Sequence, residues 1–200
     1  MRKVSQAIYD RIDNGVYNVQ SDQWWQPESP WYQMIVTFDP ARVGYAKKIL
    51  IERLKIDPKA TDALEVGCGG GFMTEEMARM GFTTTGVDPS EPSLRVAADH
   101  ARASGLNIRY ETGAGESLPF EDRSFGAVFC CDVLEHVRDL PKVISEISRV
   151  LKPGACFITT PSTARGPASW APSRSARNGS GGPSSRRTST YGGCSSSPEK

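Results

Sequence analysis

Strand-like and helix-like patterns alternate along the chain from residue 61 onward. Short apolar runs are followed by longer segments in which apolar residues recur every three to four positions. This alternation predicts an α/β fold with a doubly wound parallel sheet. The predicted strands are Leu64–Val66, Thr83–Val87, Ile108–Glu111, Phe125–Cys131 and Ala155–Thr160. The predicted helices end before Gly81 and before Gly105, and a further one runs from Asp139 to Leu151.

Residues 1–60 predict a helical cap before this alternation begins. Apolar residues at helical spacing favour helices over Val4–Ile12 and Pro40–Leu54. Between and beside them lies a cluster of aromatic residues, Trp24, Trp25, Trp31, Tyr32 and Phe38. Aromatic side chains bury large areas wherever they pack, so the cluster fits a cap over the edge of the sheet. The alternative interpretation is one wall of a pocket for an aromatic or lipid-like substrate.

Length, charge and the absence of long apolar runs argue against several classes of protein. A chain of 200 residues suits one folded domain, and a formal net charge of +1 argues against a strongly electrostatic nucleic-acid binder. No apolar run approaches the length of a membrane span, and the N-terminus lacks a signal-peptide core, so we expect a cytoplasmic protein. The cysteines show no paired metal spacing and favour reduced, structural thiols: Cys68, Cys130, Cys131, Cys156 and Cys194.

The stretch Leu64–Phe72 carries the first chemical signal. A short buried strand runs into glycines at 67, 69 and 71 and then into a helix. Glycines allow a sharp turn and let a ligand approach where a Cβ would collide with it. The start of the helix also offers unpaired N–H groups to that ligand. This arrangement predicts the opening βα unit of a nucleotide-type site.

The next strand narrows the class of ligand. It ends in Asp88, about twenty residues after the glycines, where a carboxylate can bind two ribose hydroxyls. A dinucleotide and S-adenosylmethionine (SAM) both fit this pattern. The longer Gly-x-Gly-x-x-Gly form expected for a dinucleotide would place its third glycine at Phe72, which disfavours an NAD-dependent oxidoreductase.

Asp132, Glu135 and His136 follow the fourth predicted strand at its carboxyl end, where open α/β sheets place their ligands. Two carboxylates and an imidazole suit a divalent ion such as Mg²⁺ or Zn²⁺. His136, with Glu135 beside it, also fits a general base that acts without a metal. In the third interpretation Asp132 borders a cofactor pocket, Glu135 faces solvent and His136 caps a loop. His100 is expected to be only a surface or partly buried side chain.

These motifs appear in the order found in class I SAM-dependent methyltransferases, which the chain resembles. The resemblance extends over about residues 40–160 and implies the Rossmann-like doubly wound sheet of that class. The pair Trp24-Trp25 and the stretch Asp39-Pro40-x-Arg42 leading into Tyr45 are similar to the demethylubiquinol O-methyltransferases of ubiquinone biosynthesis. The remaining matching motifs are Glu65–Gly71, Asp88, Leu118–Phe120, Asp132–Val137 and Arg149–Gly154.

The resemblance implies SAM as cofactor and gives roles to single residues. The three glycines would lie against its methionine part, with Glu65 fixing the turn or meeting the ammonium group. Asp88 would bind the ribose. The loop 114–116 would lie along the edge of the adenine, although Ala114 stands where the family often has an acid. The full set implied for the cofactor is Glu65, Gly67, Gly69, Gly71, Asp88, Pro89, Ala114, Gly115, Glu116 and Asp132.

The implied reaction is transfer of the SAM methyl group to a hydroxyl of a small molecule, a phenol that is a quinone precursor. A lipid-like acceptor would place the protein at the periphery of a membrane. Two alternatives remain: a class I methyltransferase for another lipid or natural product, and a truncated remnant that binds SAM, or nothing, without activity.

The last forty residues depart from the family. From 161 to 200 there is no Val, Ile, Leu, Met or Phe, so the segment predicts a disordered, low-complexity tail. The family needs two further strands after the fifth, and we expect this chain to lack them. Two hypotheses are a frameshifted or truncated gene product and a genuine disordered tail. The predicted organisation is therefore a cap (1–60), a SAM-binding domain (61–160) and a tail (161–200).

Overall fold

The computed structural model describes residues 14–160 of the chain. In this part five strands form one parallel sheet: β1 (Asp62–Val66), β2 (Thr83–Asp88), β3 (Arg109–Thr112), β4 (Phe125–Cys131) and β5 (Leu151–Thr160). Their spatial order is β3-β2-β1-β4-β5. The predicted helix Val4–Ile12 and the predicted tail 161–200, with the hypotheses attached to it, lie outside the described residues.

Five α-helices accompany the sheet in the same part of the chain. They are α1 (Val16–Val19), α2 (Pro30–Lys47), α3 (Phe72–Arg79), α4 (Glu91–Ala103) and α5 (Leu140–Val150). A π-helical segment, Lys48–Arg53, continues α2, and short 3-10 turns occupy Ser21–Gln23 and Pro58–Ala60. Within residues 14–160 no helix combines the length and the apolar character needed to cross a membrane.

Both faces of the sheet are buried, because successive residues of a strand point to opposite faces. On one face Leu64 and Val128 pack in a core with residues of α5, namely Val143, Ile147 and Val150. On the other face Ala63 and Phe129 pack with residues of α2, the π-helical segment and α3, namely Ala46, Leu50, Met73 and Met77. Helices therefore cover both faces, which confirms the predicted doubly wound sheet.

The order of the strands locates the ligand crevice. The chain adds β2 and β3 on one side of β1 and then returns to place β4 and β5 on the other side. In open α/β sheets this reversal opens a crevice at the carboxyl ends of the two central strands, which here are β1 and β4. The loops that follow β1 and β4 carry most of the predicted site residues.

Capping residues confirm the predicted start of one helix and the predicted end of another. Ser90 precedes α4, and its hydroxyl accepts a hydrogen bond from the N–H of Ser93. Gly81 follows α3 with φ +103°, a left-handed conformation that ends a helix readily only in glycine. Asp139, predicted as the first helical residue of α5, is instead its N-cap and accepts from the N–H of Lys142 at 3.0 Å.

The predicted start of the second helix is wrong. The sequence pattern favours a start at Pro40, but α2 begins ten residues earlier at Pro30. Ser29 caps α2 by accepting from the N–H of Tyr32 at 3.1 Å, and Pro30 fits the first turn because it has no N–H to leave unpaired. Proline at position 40 is tolerated inside the helix. Three of the clustered aromatic residues consequently lie on α2: Trp31, Tyr32 and Phe38.

The fifth strand is longer than predicted. Lys152-Pro153-Gly154 is expected from sequence to separate α5 from a strand that begins at Ala155, but β5 begins at Leu151. Leu151 pairs with Phe125 and Cys156 pairs with Ala127, so the three residues are absorbed in an irregularity of the β4–β5 pairing. The strand β3 begins one residue later than predicted, at Arg109.

Candidate functional site

A cavity of about 1010 Å³ opens at the carboxyl ends of the central strands. Its size is at the upper end for small-molecule sites, which span roughly 300–1,000 Å³. Eleven of the twelve residues predicted for the site line it: Glu65, Gly67, Gly69, Asp88, Pro89, Ala114, Gly115, Glu116, Asp132, Glu135 and His136. Four separate segments thus converge on one space, as the fold requires of loops that follow neighbouring parallel strands.

The glycine turn, residues Gly67–Gly71, forms one wall. Gly67, Gly69 and Gly71 have φ values of +72°, +49° and +85°, in the left-handed region that disfavours other residues. The turn is tied to β2, because the N–H groups of Gly67 and Cys68 both donate to the carbonyl of Val87, at 2.7 and 3.1 Å. Hydrogen bonds to the sheet therefore hold the turn in place without a ligand.

Gly71 is the predicted residue that does not line the cavity. It is the N-cap of α3, and a Cβ there would lie 2.6 Å from the hydroxyl of Tyr110 and 2.9 Å from Ala97. The absence of a side chain at Gly71 therefore allows α3 to pack closely against β3 and α4. Gly70, which the motif does not single out, lines the cavity in its place.

Glu65 is buried under the turn at the end of β1. Its carboxylate accepts a hydrogen bond from the hydroxyl of Thr74 in α3, so it links strand and helix across the turn. Burial raises its pKa to about 8, although the bond from Thr74 acts in the opposite direction. The group therefore holds a proton in the folded protein under conditions where a free glutamate is ionised.

This proton makes the stability of the protein depend on pH in a defined window. Because the folded pKa of about 8 exceeds the ordinary value of 4.5, the stabilisation from Glu65 is complete below 4.5 and is lost as the pH rises through about 8. Replacing Glu65 by Gln should remove this loss, which we expect to reach roughly 3–5 kcal/mol.

Urea unfolding between pH 5 and pH 8 should show a falling free energy of unfolding for the wild type and a flatter profile for Glu65→Gln. Glu121→Gln, at an exposed position, serves as control and should retain the wild-type slope; an equal slope in Glu65→Gln would contradict the assignment.

Asp88 ends β2 and faces the cavity. One carboxylate oxygen accepts from the N–H of Gly69 at 2.9 Å, and the other accepts from the N–H of Ser90 at 2.8 Å. Burial raises its pKa, and these two bonds counteract the rise. Since an ionised carboxylate can accept about four hydrogen bonds, Asp88 can hold the turn and still bind hydroxyl groups of a ligand.

The loop after β3 brings Ala114, Gly115 and Glu116 to the cavity. Its outer part is fastened to α5 through Glu146 and Arg149. Glu146 accepts from the N–H of Leu118 at 2.9 Å, and Arg149 donates to the carbonyls of Leu118 and Phe120 at 3.1 and 2.7 Å. The hydrogen bond and charge of Arg149 lower the pKa of Glu146 to about 2. Its stabilisation is thus present above its ordinary pKa of 4.5 and is lost as the pH falls toward 2.

Replacing Arg149 should loosen this loop. The variant Arg149→Met removes the donor to two backbone carbonyls and to the carboxylates of Glu146 and Asp122. We expect a loss of about 2–3 kcal/mol in the free energy of unfolding. The matched control is Arg102→Met, because the pair of Arg102 with Asp99 is exposed on both sides; its loss should stay below about 0.5 kcal/mol. Urea unfolding at neutral pH measures both, and equal losses would contradict a special role for Arg149.

Asp132 lies where the chain turns out of β4, with φ +55°. Its carboxylate is paired with Arg42 of α2, which also binds Asp39 at 3.2 Å. Arg42 and Asp39 both line the cavity, and the Arg42 side chain is only 13% exposed. The Asp-Pro-x-Arg stretch is recognisable in the sequence as a family feature, but nothing in the sequence places it in the site.

Glu135 and His136 line the cavity beside Asp132, but the three do not form a metal site. Within residues 14–160 no group of three or more His, Cys, Asp and Glu side chains is arranged to hold a metal ion. The predicted metal set is therefore corrected, since the carboxylate of Asp132 faces Arg42 instead. The His136 ring packs edge-on against Tyr17 at 5.9 Å, and its buried Nδ1 has no hydrogen-bond partner among the described residues.

The cap contributes an aromatic wall. Trp24 and Trp31 line the cavity together with Tyr17, which sequence reasoning missed. Trp24 stacks on Tyr17 with ring centroids 6.0 Å apart and donates from Nε1 to the hydroxyl of Ser93. This supports the pocket-wall interpretation for part of the cluster. Trp25 and Tyr32 do not line the cavity and instead pack against Phe72, which does, and Phe38 is 40% exposed.

His100 is more than a partly buried surface residue. Its Nδ1 lies 2.6 Å from a carboxylate oxygen of the buried Glu75, and its ring stacks on Trp25. No local sequence signal indicates either contact, because Glu75 and Trp25 come from different elements of the chain.

The chain is similar in sequence and in fold to known methyltransferases. A family model described as a methyltransferase domain matches residues 64–159. The chain is 35% identical to the ubiquinone biosynthesis O-methyltransferase of Brucella anthropi and 30% identical to that of Rhizobium etli, each over 167 residues. These alignments cover 80% of this chain and 67% of each relative, so the chain spans about two thirds of their length. A crystal structure assigned to the S-adenosyl-L-methionine-dependent methyltransferases of Methanococcus maripaludis shares the fold, with a TM-score of 0.59, 20% identity, and coverage of 80% of this chain and 66% of that one.

Proposed function

Because the chain belongs to the class I SAM-dependent methyltransferases, as its motifs predicted, we propose that it binds SAM in this cavity and transfers the methyl group to a hydroxyl of a small molecule. The observation that carries the proposal is the convergence of the glycine turn, Asp88, the loop 114–116 and Asp132 on one cavity. These segments lie far apart in sequence, and they meet where a doubly wound sheet binds its ligand.

The residues that line the cavity match the chemistry of SAM. Asp88 supplies carboxylate oxygens for the ribose hydroxyls, and the Ala114–Glu116 loop supplies an edge for the adenine. Arg42 is a cation that can meet the carboxylate of the methionine part. Glu65 lines the cavity under the turn, and its carboxyl oxygens can accept a hydrogen bond from the ammonium group of the methionine part. When bound, SAM supplies a methyl group on a sulfonium, which is already activated for displacement. The protein therefore has mainly to position the two reactants, which can lower a barrier by roughly 7–11 kcal/mol.

Tyr17, a phenol that lines the cavity, indicates how the cavity would change the pKa of an acceptor phenol. Burial raises the pKa of the Tyr17 hydroxyl, and the charges of Glu135, Asp88 and Asp132 raise it further. An acceptor phenol in the same surroundings would likewise stay protonated, so its attack on the methyl group needs a base. His136 fits that role, because its Nδ1 has no hydrogen-bond partner among the described residues and its ring borders the cavity. Such a base contributes about 10²- to 10⁴-fold in rate.

The names of the relatives support a phenol of the quinone-precursor type as acceptor, and the aromatic wall of Tyr17, Trp24 and Trp31 offers a surface for its ring. A lipid-like tail on that acceptor belongs to the same proposal. We assign no step to a metal ion, because the described residues bring no ligand set together.

Methyl transfer from radiolabelled SAM tests this function. We expect label in a catechol related to quinone precursors, and we expect His136→Gln to reduce the rate by at least about 10²-fold while leaving the affinity for S-adenosylhomocysteine within a few-fold. Label in an amine or a carboxylic acid, with none in the catechol, would contradict the proposed acceptor.

A further inference from the structure

Trp25 contacts the glycine turn without lining the cavity. Its Nε1 donates to the carbonyl of Gly70 at 2.8 Å. Trp24, the preceding residue, does line the cavity and also packs against the turn, since a Cβ on Gly70 would lie 2.5 Å from its ring. Two consecutive tryptophans of the cap thus contact the turn.

The bond from Trp25 fixes one particular peptide group. The peptide between Gly70 and Gly71 has its N–H bonded to the carbonyl of Cys68 at 2.8 Å and its C=O bonded to Trp25. Glycine has no Cβ to restrict its rotation, so the orientation of this peptide depends on such bonds. That orientation decides which backbone groups of the turn face the cavity.

Trp25 is itself held firmly in place. Its ring lies nearly parallel to that of Phe72, the first residue of α3, with centroids 3.5 Å apart and an interplanar angle of 16°. It is also stacked on His100 of α4, at 3.4 Å and 6°. His100 is anchored by the fully buried carboxylate of Glu75. The indole therefore joins the cap to both helices that flank the turn.

We infer that Trp25 is a positioning residue for the cofactor: it holds the glycine turn in the conformation that receives SAM. The inference rests on the proposed function for the identity of the ligand, whereas the holding of the turn stands on the contacts alone. Removal of the indole N–H, with an aromatic ring retained, should loosen the turn and weaken cofactor binding without unfolding the domain.

Two measurements on Trp25→Phe test this. Hydrogen–deuterium exchange without ligand should show faster exchange of residues 67–72 than in the wild type, and no change in β1 or β4. Titration calorimetry should show binding of S-adenosylhomocysteine weakened by about 3- to 10-fold, the size expected for one neutral hydrogen bond. The control is Ile147→Val, which removes one buried methyl group from a core residue that does not line the cavity. It should lower thermal stability while leaving exchange of the turn and ligand affinity unchanged.

A second variant, His100→Gln, removes one stacked ring and keeps the N–H of Trp25. It should raise exchange of the turn to a smaller extent, and it decides the question if Trp25→Phe does not fold. Unchanged exchange and affinity in the Trp25 variant would overturn the inference, and so would equal weakening by Ile147→Val. A wild-type protein that fails to bind S-adenosylhomocysteine, with faster exchange of the turn in Trp25→Phe, would overturn the proposed function and leave the holding of the turn in place.

Discussion

Asp88→Ala is expected to weaken binding of S-adenosylhomocysteine by about 100-fold or more. The carboxylate accepts from Gly69 and from Ser90, and it has oxygen lone pairs left for the ribose hydroxyls. The variant thus removes the ribose contacts and releases the middle of the glycine turn at Gly69. Hydrogen bonds to a charged group contribute about 1.5–3 kcal/mol each, so the loss of two corresponds to roughly 10²- to 10⁴-fold in affinity.

Titration calorimetry at neutral pH measures this effect. Asp99→Ala is the matched control, because Asp99 is an exposed residue of α4 whose pair with Arg102 lies at the surface; its affinity should equal that of the wild type. Asp88→Asn keeps one acceptor oxygen and should fall between the two. Binding by Asp88→Ala within threefold of the wild type would show that the ribose does not lie at the end of β2.

Gly67→Ala is expected to lower the free energy of unfolding by about 2–5 kcal/mol. Two costs combine at this position. The residue has φ +72°, and a left-handed conformation costs a non-glycine residue about 1–2 kcal/mol. The new Cβ would also lie 2.3 Å from a methyl carbon of Val133, and overpacking costs typically about 1–3 kcal/mol.

Two other glycines separate these costs. Gly105 has φ +70°, and a Cβ added there would have no atom within 4 Å, so Gly105→Ala should show the conformational cost alone, about 1–2 kcal/mol. Gly44 lies inside α2 with equally open space, and Gly44→Ala should stabilise the protein by about 0.5–1 kcal/mol. Urea unfolding of the three variants should rank them Gly44, Gly105, Gly67 in order of decreasing stability. Equal values for Gly67→Ala and Gly105→Ala would mean that Val133 moves away without cost.

Most of the site can be predicted from the sequence because parallel βα units restrict where a residue can go. The glycine turn, Asp88, the loop 114–116 and residues 132–136 each follow a strand, and strand ends of a parallel sheet meet at one edge. Correct placement of the strands is therefore enough to bring these segments together. Each segment also carries its own local signal, such as the glycine spacing at 67–71 or the acid that follows the β-branched run at 83–87.

Arg42 and Tyr17 cannot be found in the same way. Arg42 pairs with Asp132 across 90 positions of the chain, and nothing near it in sequence indicates that contact. The same holds for Trp25 and Gly70, which are 45 positions apart. Residues 14–160 do not assemble the predicted metal set for a related reason, because the closeness of Asp132 to Glu135 and His136 in sequence says nothing about the arginine that binds Asp132.

The remaining errors have local physical causes. A proline is common in the first turn of a helix, which favours a start at Pro40, yet Pro30 with its Ser29 cap starts α2 better. The glycine spacing predicts a ligand-facing role for Gly71, because glycines in such turns often approach a ligand. Its actual neighbours, Tyr110 and Ala97, come from β3 and α4 and explain its lack of a side chain through packing.

A crystal structure of the protein grown with S-adenosylhomocysteine would decide whether this cavity is the cofactor site. We expect the ligand in the cavity after β1, with its ribose hydroxyls within hydrogen-bond distance of Asp88, its adenine beside residues 114–116 and its amino-acid end between the glycine turn and Arg42. Ligand bound at another surface, or a cavity without ligand at saturating concentration, would contradict this assignment.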